Sequence, residues 1–337
     1  MRDPGVTARP LVAADISIVV PVGGMAPTWV RAARSLARLD PPPAEIIAVI
    51  DGRNDALAAT AAGLAGAVLT LDRCGGPARA RNHGARSARC AILLFLDADV
   101  EVPPDLVAEV ARFFSAHADV DAMFGSYDAE PADAGLVSQY RNLLHHFVHQ
   151  AAREEASTFW AGCGAVRRAA FERVGGFDER WRQPSIEDIE LGSRLVRAGC
   201  VIRLSKHILV KHLKAWRLRD LVVTDLWRRA VPWTELMLRD ERLVNDLNVR
   251  TRDRVSVLAV FVMLSGLAAG VRFPAGAVAA AASLAVLVAL NAGFLGFLVR
   301  HRGLPFAVRS FPLYCLYFLV CGVGFGIGLA RHVIDRR

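Results

Sequence analysis

The sequence predicts an α/β domain, a mostly parallel sheet with helices on both faces, followed by transmembrane helices. Three observations predict it. Short β-branched runs alternate with helically periodic segments through the first third of the chain. Three acidic residues, Asp51, Asp97 and Asp99, fall at the carboxyl ends of predicted strands. No Asp or Glu occurs between positions 255 and 330, and that stretch holds three apolar spans.

Residues 1–14 read as a loose tail. "ISIVVPV" (16–22) is β-branched and reads as a buried strand. "TWVRAARSLARL" (28–39) has helical spacing, and "DPPP" (40–43) stops it. "EIIAVIDG" (45–52) is a second strand ending in Asp51, "DALAATAAGL" a helix, and "AVLTL" (67–71) a third strand. "GGPARARNHGARSA" is a Gly-rich turn feeding a helix, and "AILLFLDAD" a fourth strand. Strands alternating with helices at this pitch argue for a parallel sheet. In such sheets ligands bind outside the carboxyl ends of the strands.

After residue 120 the alternation weakens. "VDAMFGSYDAE" suggests a further strand, and "LVSQYRNLLHHFVHQAAREE" is helical in character. "FWAGCGAVRRAAFERVGGFDE" runs from a strand into a short helix and a Gly turn. "SIEDIELGSRLVRAGC" reads as a helix with Ser185 as N-cap and Gly199 at its C-terminal end. "VIRLSKHILVKHL" alternates like a strand.

The chain has 337 residues, 53% hydrophobic, with a formal net charge of +8 carried mostly by Arg. Excess Arg suits nucleic acid, an anionic membrane surface or phosphate-bearing substrates, and the apolar tail favours the last two over nucleic acid. Six Cys form no CxxC pair and no zinc spacing, so they read as small buried hydrophobes. "MRDPGVTARPLVAAD" lacks the apolar core of a signal peptide, which places the soluble part in the cytoplasm and the chain in the inner membrane. The expected organisation is a tail (1–14), a catalytic domain (15–215), a basic and aromatic juxtamembrane segment (216–254), three spans (255–330) and a tail (331–337).

The spans are 255–271, 275–299 and 311–330, each able to cross a bilayer core of about 30 Å. Arg252 and Arg254 before the first span, and Arg300, Arg302 and Arg309 before the third, face the cytoplasm if the N-terminus is inside. The basic end "RHVIDRR" then falls outside, against that rule, unless the last segment is re-entrant or lies on the surface. Trp216, Trp227 and Trp233 among many Arg suit either an interfacial segment or an ordinary surface helix pair.

Asp97 and Asp99 form a D-x-D pair at the mouth of a buried strand. They are either turn residues or ligands for a hard cation carrying a diphosphate, Mg2+ or Mn2+. Glu187 and Asp188 lie in the first turn of a helix. Acids there oppose the macrodipole, and Ser185 with Asp188 has capping-box spacing. One carboxylate is also placed to act as a general base, and the two roles are compatible. Arg79 and Arg81, in a Gly-flanked turn, either contact a nucleotide base or phosphates or form a solvated basic face. "PVGGMAP" after the first strand lacks G-x-G-x-x-G, which argues against a dinucleotide-binding oxidoreductase.

The order "SIVVPV", "VIDG", "ARARNHGA", "FLDAD", "GCGAVRRAAFERVGGFDE", "IEDIELGSRL" resembles the family 2 glycosyltransferases with a GT-A fold, over about residues 15–215. The resemblance implies inverting transfer from a nucleotide-sugar, with a metal cofactor. It implies that Asp51 contacts the base, with Pro21, Arg79 and Arg81 on the same donor side. Asp97 lies near the ribose and Asp99 on the metal. Asp188, beside Glu187 in the E-D motif, is the general base, and the segment from Gly162 to Arg168 shapes the acceptor site, with Gly162, Cys163 and Gly164 at its start. His212 in "VKHLKAW" stands where some GT-A enzymes place a third metal ligand, or it is a His paired at the membrane surface.

There are departures from the family pattern. "PVGGM" follows the first strand, a single Asp51 follows Ile50 where two Asp are common, and only "WRRAVPW" stands in place of a processive Gln-x-x-Arg-Trp motif. The expected partners are a nucleotide-sugar, a polyprenyl-phosphate or glycolipid acceptor, and the membrane. The alternatives are an inactive GT-A scaffold or transport protein, which predicts ionisable residues in spans that hold only Asn291 and a few Ser, or a nucleotidyltransferase.

Overall fold

The computed structural model describes residues 10–24, 27–63, 66–240, 247 and 249–335. The expected tail lies outside the described residues up to position 9, and its end forms a 3-10 turn at Ala13–Asp15. The chain divides into two compact units, Met1–Ser126 with Glu154–Leu213, and Tyr127–Arg153 with Lys214–Arg337. Residues 127–153, expected inside the 15–215 segment, therefore group with the C-terminal helices.

The elements of the first half are β1 (Ile16–Val22), α1 (Pro27–Leu36), β2 (Glu45–Ile50), α2 (Asp55–Ala62), β3 (Ala67–Thr70) and α3 (Pro77–Ser87). They continue as β4 (Ile92–Leu96), β5 (Val100–Glu101), α4 (Leu106–Ala116) and β6 (Ala122–Tyr127). After α5 (Leu136–Ala151), which belongs to the second unit, come β7 (Cys163–Arg167), α6 (Arg168–Arg173), α7 (Glu187–Arg197) and β8 (Ile202–His212).

These strands form one mixed sheet in the order β3-β2-β1-β4-β7-β6-β8-β5. The first four are parallel. The pairs β4–β7, β6–β7 and β5–β8 are antiparallel. The change falls where the sequence stops alternating strand and helix, because an antiparallel strand needs no crossover helix. Every residue of β1 and β4 is buried, as expected of strands covered on both faces. Helix α3 lies close on β1. A Cβ on Gly84 would come within 2.5 Å of the Val19 side chain, so glycine there sets the helix-to-sheet approach.

The second unit holds α5, α8 (Leu218–Asp225), a π-helical turn (Leu226–Ala230) and α9 (Val231–Arg239). It ends with α10 (Thr251–Gly270), α11 (Pro274–Leu290), α12 (Ala292–Arg302) and α13 (Leu304–Asp335). Helices α10 and α13, of 20 and 32 residues, are long and apolar enough to cross a membrane. The predicted second span, 275–299, is not one straight helix, because α11 and α12 are bent by 68° at Asn291. Asn291 Nδ2 donates to Leu287 O at 2.8 Å and to Ser256 Oγ at 2.9 Å, and Tyr314 Oη donates to its Oδ1 at 2.7 Å. A polar side chain drawn into bonds with its neighbours is a recognised cause of a kink.

Small residues let α10 and α11 meet closely, since a Cβ on Gly276 would sit 2.5 Å from Gly270 N. Helix α13 starts before the predicted 311–330 span and continues past it, so residues 331–335 are helical, not tail. In the basic aromatic segment Trp233 is buried, Trp216 half-buried and Trp227 exposed.

Candidate active site

The D-x-D pair stands where β4 leaves the sheet. Asp97 N–H donates to Gly162 O at 3.2 Å, and Val100 N–H closes a turn onto Asp97 O at 3.2 Å. Both carboxylates remain about one-third exposed at the strand mouth. The turn reading of this pair is met by the Val100 bond.

Asp97 meets Arg81, whose Nη2 lies 2.6 Å from Asp97 Oδ1. The other arm of Arg81, Nη1, lies 2.9 Å from Glu187 Oε1. Arg81 is 4% exposed, and its guanidinium lies 5.4 Å from the centre of the Phe177 ring. It is therefore a buried bridge, not part of a solvated basic face. Burial opposes its charge, but Asp97, Glu187 and Asp188 outweigh burial and hold it above the ordinary guanidinium range. Burial pushes the Asp97 carboxyl up, Arg81 opposes that, and Asp99 adds to it; the net direction is upward.

Arg81 is placed by the start of α3. The Asp51 carboxylate accepts from Gly75 N–H at 2.7 Å and from Gly76 N–H at 2.9 Å, so it holds the turn before the helix and satisfies the N–H of its cap residue. Gly76 has φ +86°, and a Cβ there would sit 2.3 Å from Arg182 O. Only glycine fits both demands. Arg79 is half-buried, its side chain lying over Gly75. Pro21 is buried in β1, opposite Val49 of β2.

The E-D pair opens α7. Glu187 is 5% exposed, and its second oxygen accepts from Ser185 N–H at 2.8 Å. Asp188 is only half-buried. Its Oδ2 accepts from Ala161 N–H at 3.1 Å and its Oδ1 from Ile189 N–H at 2.8 Å. Burial and the neighbouring Glu187 raise the Asp188 carboxyl, Arg81 and the Ala161 N–H pull it down, and it settles at about 7. The cap position of this helix is Ile186, not Ser185 as expected. Glu187 turns toward Arg81 and takes the Ser185 N–H, which starts the helix one residue later than the sequence suggests.

Helix α7 is pressed against the loop before β7. A Cβ on Gly192 would come 2.3 Å from Phe159 N. That approach brings Ala161 N–H to Asp188. Gly162 and Gly164 are shaped by the same loop, where a Cβ would meet Trp160 Cζ2 at 2.4 Å and Trp160 O at 2.3 Å respectively. Cys163 is 1% exposed and pairs with Leu96, and burial pushes its thiol to about 12. Its side chain belongs to the core. Sequence reasoning missed Gly192, Phe177, Ala161 and Trp160. A glycine inside a helix was the available signal for the first; a backbone donor carries none.

Asp99 and His212 come together across β5 and β8. Val100 pairs with His212, Leu213 N–H donates to Asp99 O at 2.9 Å, and His212 Nε2 lies 3.7 Å from Asp99 Oδ2. Among the described residues no three His, Cys, Asp or Glu side chains gather into a closed metal site. A magnesium-like cation keeps one or two protein ligands and completes its shell with phosphate oxygens and water, so an open pair of donors suits it. These two residues fit that role.

A sheet of this order, with an acidic turn after β4 and an E-D pair opening α7, is the GT-A glycosyltransferase fold. Residues 17–175 match the model of glycosyl transferase family 2, and 141–215 match the N-terminal domain of galactosyltransferase. A similar solved structure is the mannosyltransferase PcManGT from Pyrobaculum calidifontis in complex with GDP-Man and Mn2+. It has 17% identity and a TM-score of 0.57, over 97% of this chain and 90% of that one. Another is S. aureus TarS 1-349 in complex with UDP-GlcNAc, with 17% identity and a TM-score of 0.50, over 67% of this chain and 66% of that one. At such identities the likeness is one of fold. No curated protein sequence matches the chain.

Proposed function

We propose that this protein is a membrane-anchored, inverting glycosyltransferase that moves a sugar from a nucleotide-sugar to a lipid-linked or glycolipid acceptor. The observation that carries the reading is Asp188. It is half-exposed, held by two backbone N–H groups, and raised to about 7, next to a buried Arg81 that also orients Asp97. A base whose pKa lies near neutrality is suited to taking a proton in the transition state.

In this reading an acceptor hydroxyl or phosphate oxygen attacks the anomeric carbon from the face opposite the leaving group. The new carbon–oxygen bond forms as the bond to the diphosphate breaks and the nucleoside diphosphate leaves; a hydroxyl acceptor gives its proton to Asp188, whereas a phosphate acceptor attacks through an oxygen that is already ionised. Asp97 faces the nucleoside, and Arg81 fixes its rotamer. Asp51 contributes by setting the Gly75–Gly76 turn and through its proposed contact with the base. Asp99 and His212 would hold Mg2+ or Mn2+, which when bound neutralises charge on the leaving diphosphate. The structures of PcManGT with GDP-Man and Mn2+ and of TarS with UDP-GlcNAc support a nucleotide-sugar as donor. The apolar α10 and α13 support a membrane anchor, and Arg252, Arg254, Arg300, Arg302 and Arg309 are the basis for placing the catalytic residues on the cytoplasmic side of the inner membrane.

The test is transfer by membranes containing the protein, with labelled UDP-, GDP- and dTDP-sugars and Mn2+ or Mg2+, followed by organic extraction. Label in the lipid fraction, lost in Asp188→Ala, is expected. No turnover of any donor, with cell glycolipids unchanged in Asp188→Ala, sinks the proposal.

A further inference from the structure

Helix α13 is uncharged from Phe311 to Ala330, which is long enough to cross a bilayer core of about 30 Å. Its packing decides otherwise. One face is buried along nearly its whole length, through Ala307, Ser310, Tyr314, Tyr317, Gly324 and Gly328. That face packs on α5, α12, the π-turn and α9 as well as on α10.

The first half of α13 rests on α5 and α12. Arg302, just before it, donates to Gln139 Oε1 at 3.0 Å and to Ala129 O at 2.8 Å, and lies 3.0 Å from Glu130 Oε2. The second half rests on the π-turn and α9. A Cβ on Gly324 would come 2.4 Å from Ala230 Cβ, and one on Gly328 2.8 Å from Thr234 Cβ. Near the end, Arg331 Nη1 lies 3.5 Å from Glu235 Oε1, with its guanidinium 5.5 Å from the centre of the Trp227 ring.

Neither support can sit in hydrocarbon. The run from α8 to α9 carries Asp220, Asp225, Arg228, Arg229 and Glu235, and α5 carries Gln139, Arg141, Asn142 and three His. Arg141 and Asp225, 2.8 Å apart, tie α5 to α8, so both lie on one side of a membrane. Helix α10 meets α13 where Gly322 faces Val257 and Phe261, between the second turn and the middle of α10. The end of α11 is at the same level, through the bonds of Asn291 to Ser256 and Tyr314.

We propose that only α10 and α11 cross the bilayer, as a hairpin, and that α13 lies across its base in the headgroup–acyl boundary. Both chain ends are then on the same side. This rests on the membrane reading above. The occupant of the exposed face of α13 is lipid. Val308, Val323, Phe325, Leu329, Val333 and Ile334 are exposed and apolar there, as on an interfacial helix. Helix α12, turned by 68°, runs back toward the same surface with Arg300 and Arg302 at its end. The arrangement also puts the basic end of the chain on the side of Arg252, Arg254 and Arg309, as the positive-inside rule requires.

The test uses the full chain with N- and C-terminal epitope tags in sealed vesicles of known orientation. A second arm uses Val271→Cys, at an 85% exposed position between α10 and α11, with Phe273→Cys as a substitute if it fails to insert. Proteolysis should remove both tags from the same side. An impermeant maleimide, read at that position by peptide mass spectrometry, should label the introduced thiol only from the other side. Tags on opposite sides, or a thiol labelled from the same side as both tags, overturn the proposal while leaving the anchor intact. Release of the chain by alkaline carbonate overturns the membrane reading and this one with it.

Discussion

Arg81 of α3 and Glu187 of α7, 106 positions apart in the chain, form a bridge of 2.9 Å with both side chains almost fully buried. Removing Arg81 strands Glu187, and removing Glu187 leaves one buried arm of Arg81 without its carboxylate while the other stays on Asp97. Glu187→Ala is therefore expected to destabilise the protein by about 3–5 kcal/mol, the usual result of breaking a buried pair. Urea unfolding of the detergent-solubilised protein measures it, and a cost under about 1 kcal/mol would remove the bridge from the account.

Asp188→Asn keeps the size and half the hydrogen bonding of the side chain but cannot take a proton. Transfer should fall by about 10²–10⁴-fold, with donor binding by calorimetry almost unchanged. In the unsubstituted enzyme the rate should climb about tenfold per pH unit and level off above about 7, where the carboxylate is formed. Stability should move the other way. The folded carboxyl is raised from 3.8, so its contribution is full below the ordinary carboxylate range and is lost as pH rises through about 7. Melting curves across that window should show the loss, and Asp188→Asn should flatten it. A rate profile unaffected by pH between about 5 and 8 would assign the proton to another group.

His212→Ala leaves the β5–β8 ladder intact, since Val100 pairs with its backbone. Mn2+ binding in the presence of a nucleoside diphosphate, followed by paramagnetic resonance, should weaken by at least about tenfold. Unchanged binding would leave Asp99 as the sole protein ligand of the two.

Gly192→Ala places a methyl 2.3 Å from Phe159 N. Overpacking of this kind costs about 1–3 kcal/mol. Because α7 must then back away from the Ala161 loop, the variant should lose transfer rate as well as melting temperature. A fall in melting temperature with full activity would mean that this approach does not set Asp188.

The parallel half of the sheet was legible in the sequence because each of its strands is a short apolar run closed by a turn or a helix. β4 is ILLFL and then Asp97. The antiparallel half was harder. β5 has two residues, too few to carry a pattern, yet it sets Asp99 beside His212. The residue types of the site were readable, but their division of labour was not. Glu187 and Asp188 are neighbours in sequence, and only the fold turns one into the interior and leaves the other half-exposed. Asp51 was read as a base contact, and the bonds from Gly75 and Gly76 add a second task that depends on a turn 24 residues away. The break at Asn291 was invisible to hydropathy, since it depends on Ser256 and Tyr314, which lie far off in the chain.

The bond from Ala161 N–H to Asp188 comes from the main chain. Any residue other than proline supplies that donor, so drift at position 161 is limited by space, not by hydrogen bonding. The Asp97 carboxylate depends instead on one particular guanidinium, that of Arg81. The two halves of the site therefore differ in genetic fragility. A single base change can disarm the Arg81 side, whereas a change at 161 loses the Asp188 donor only if it introduces proline.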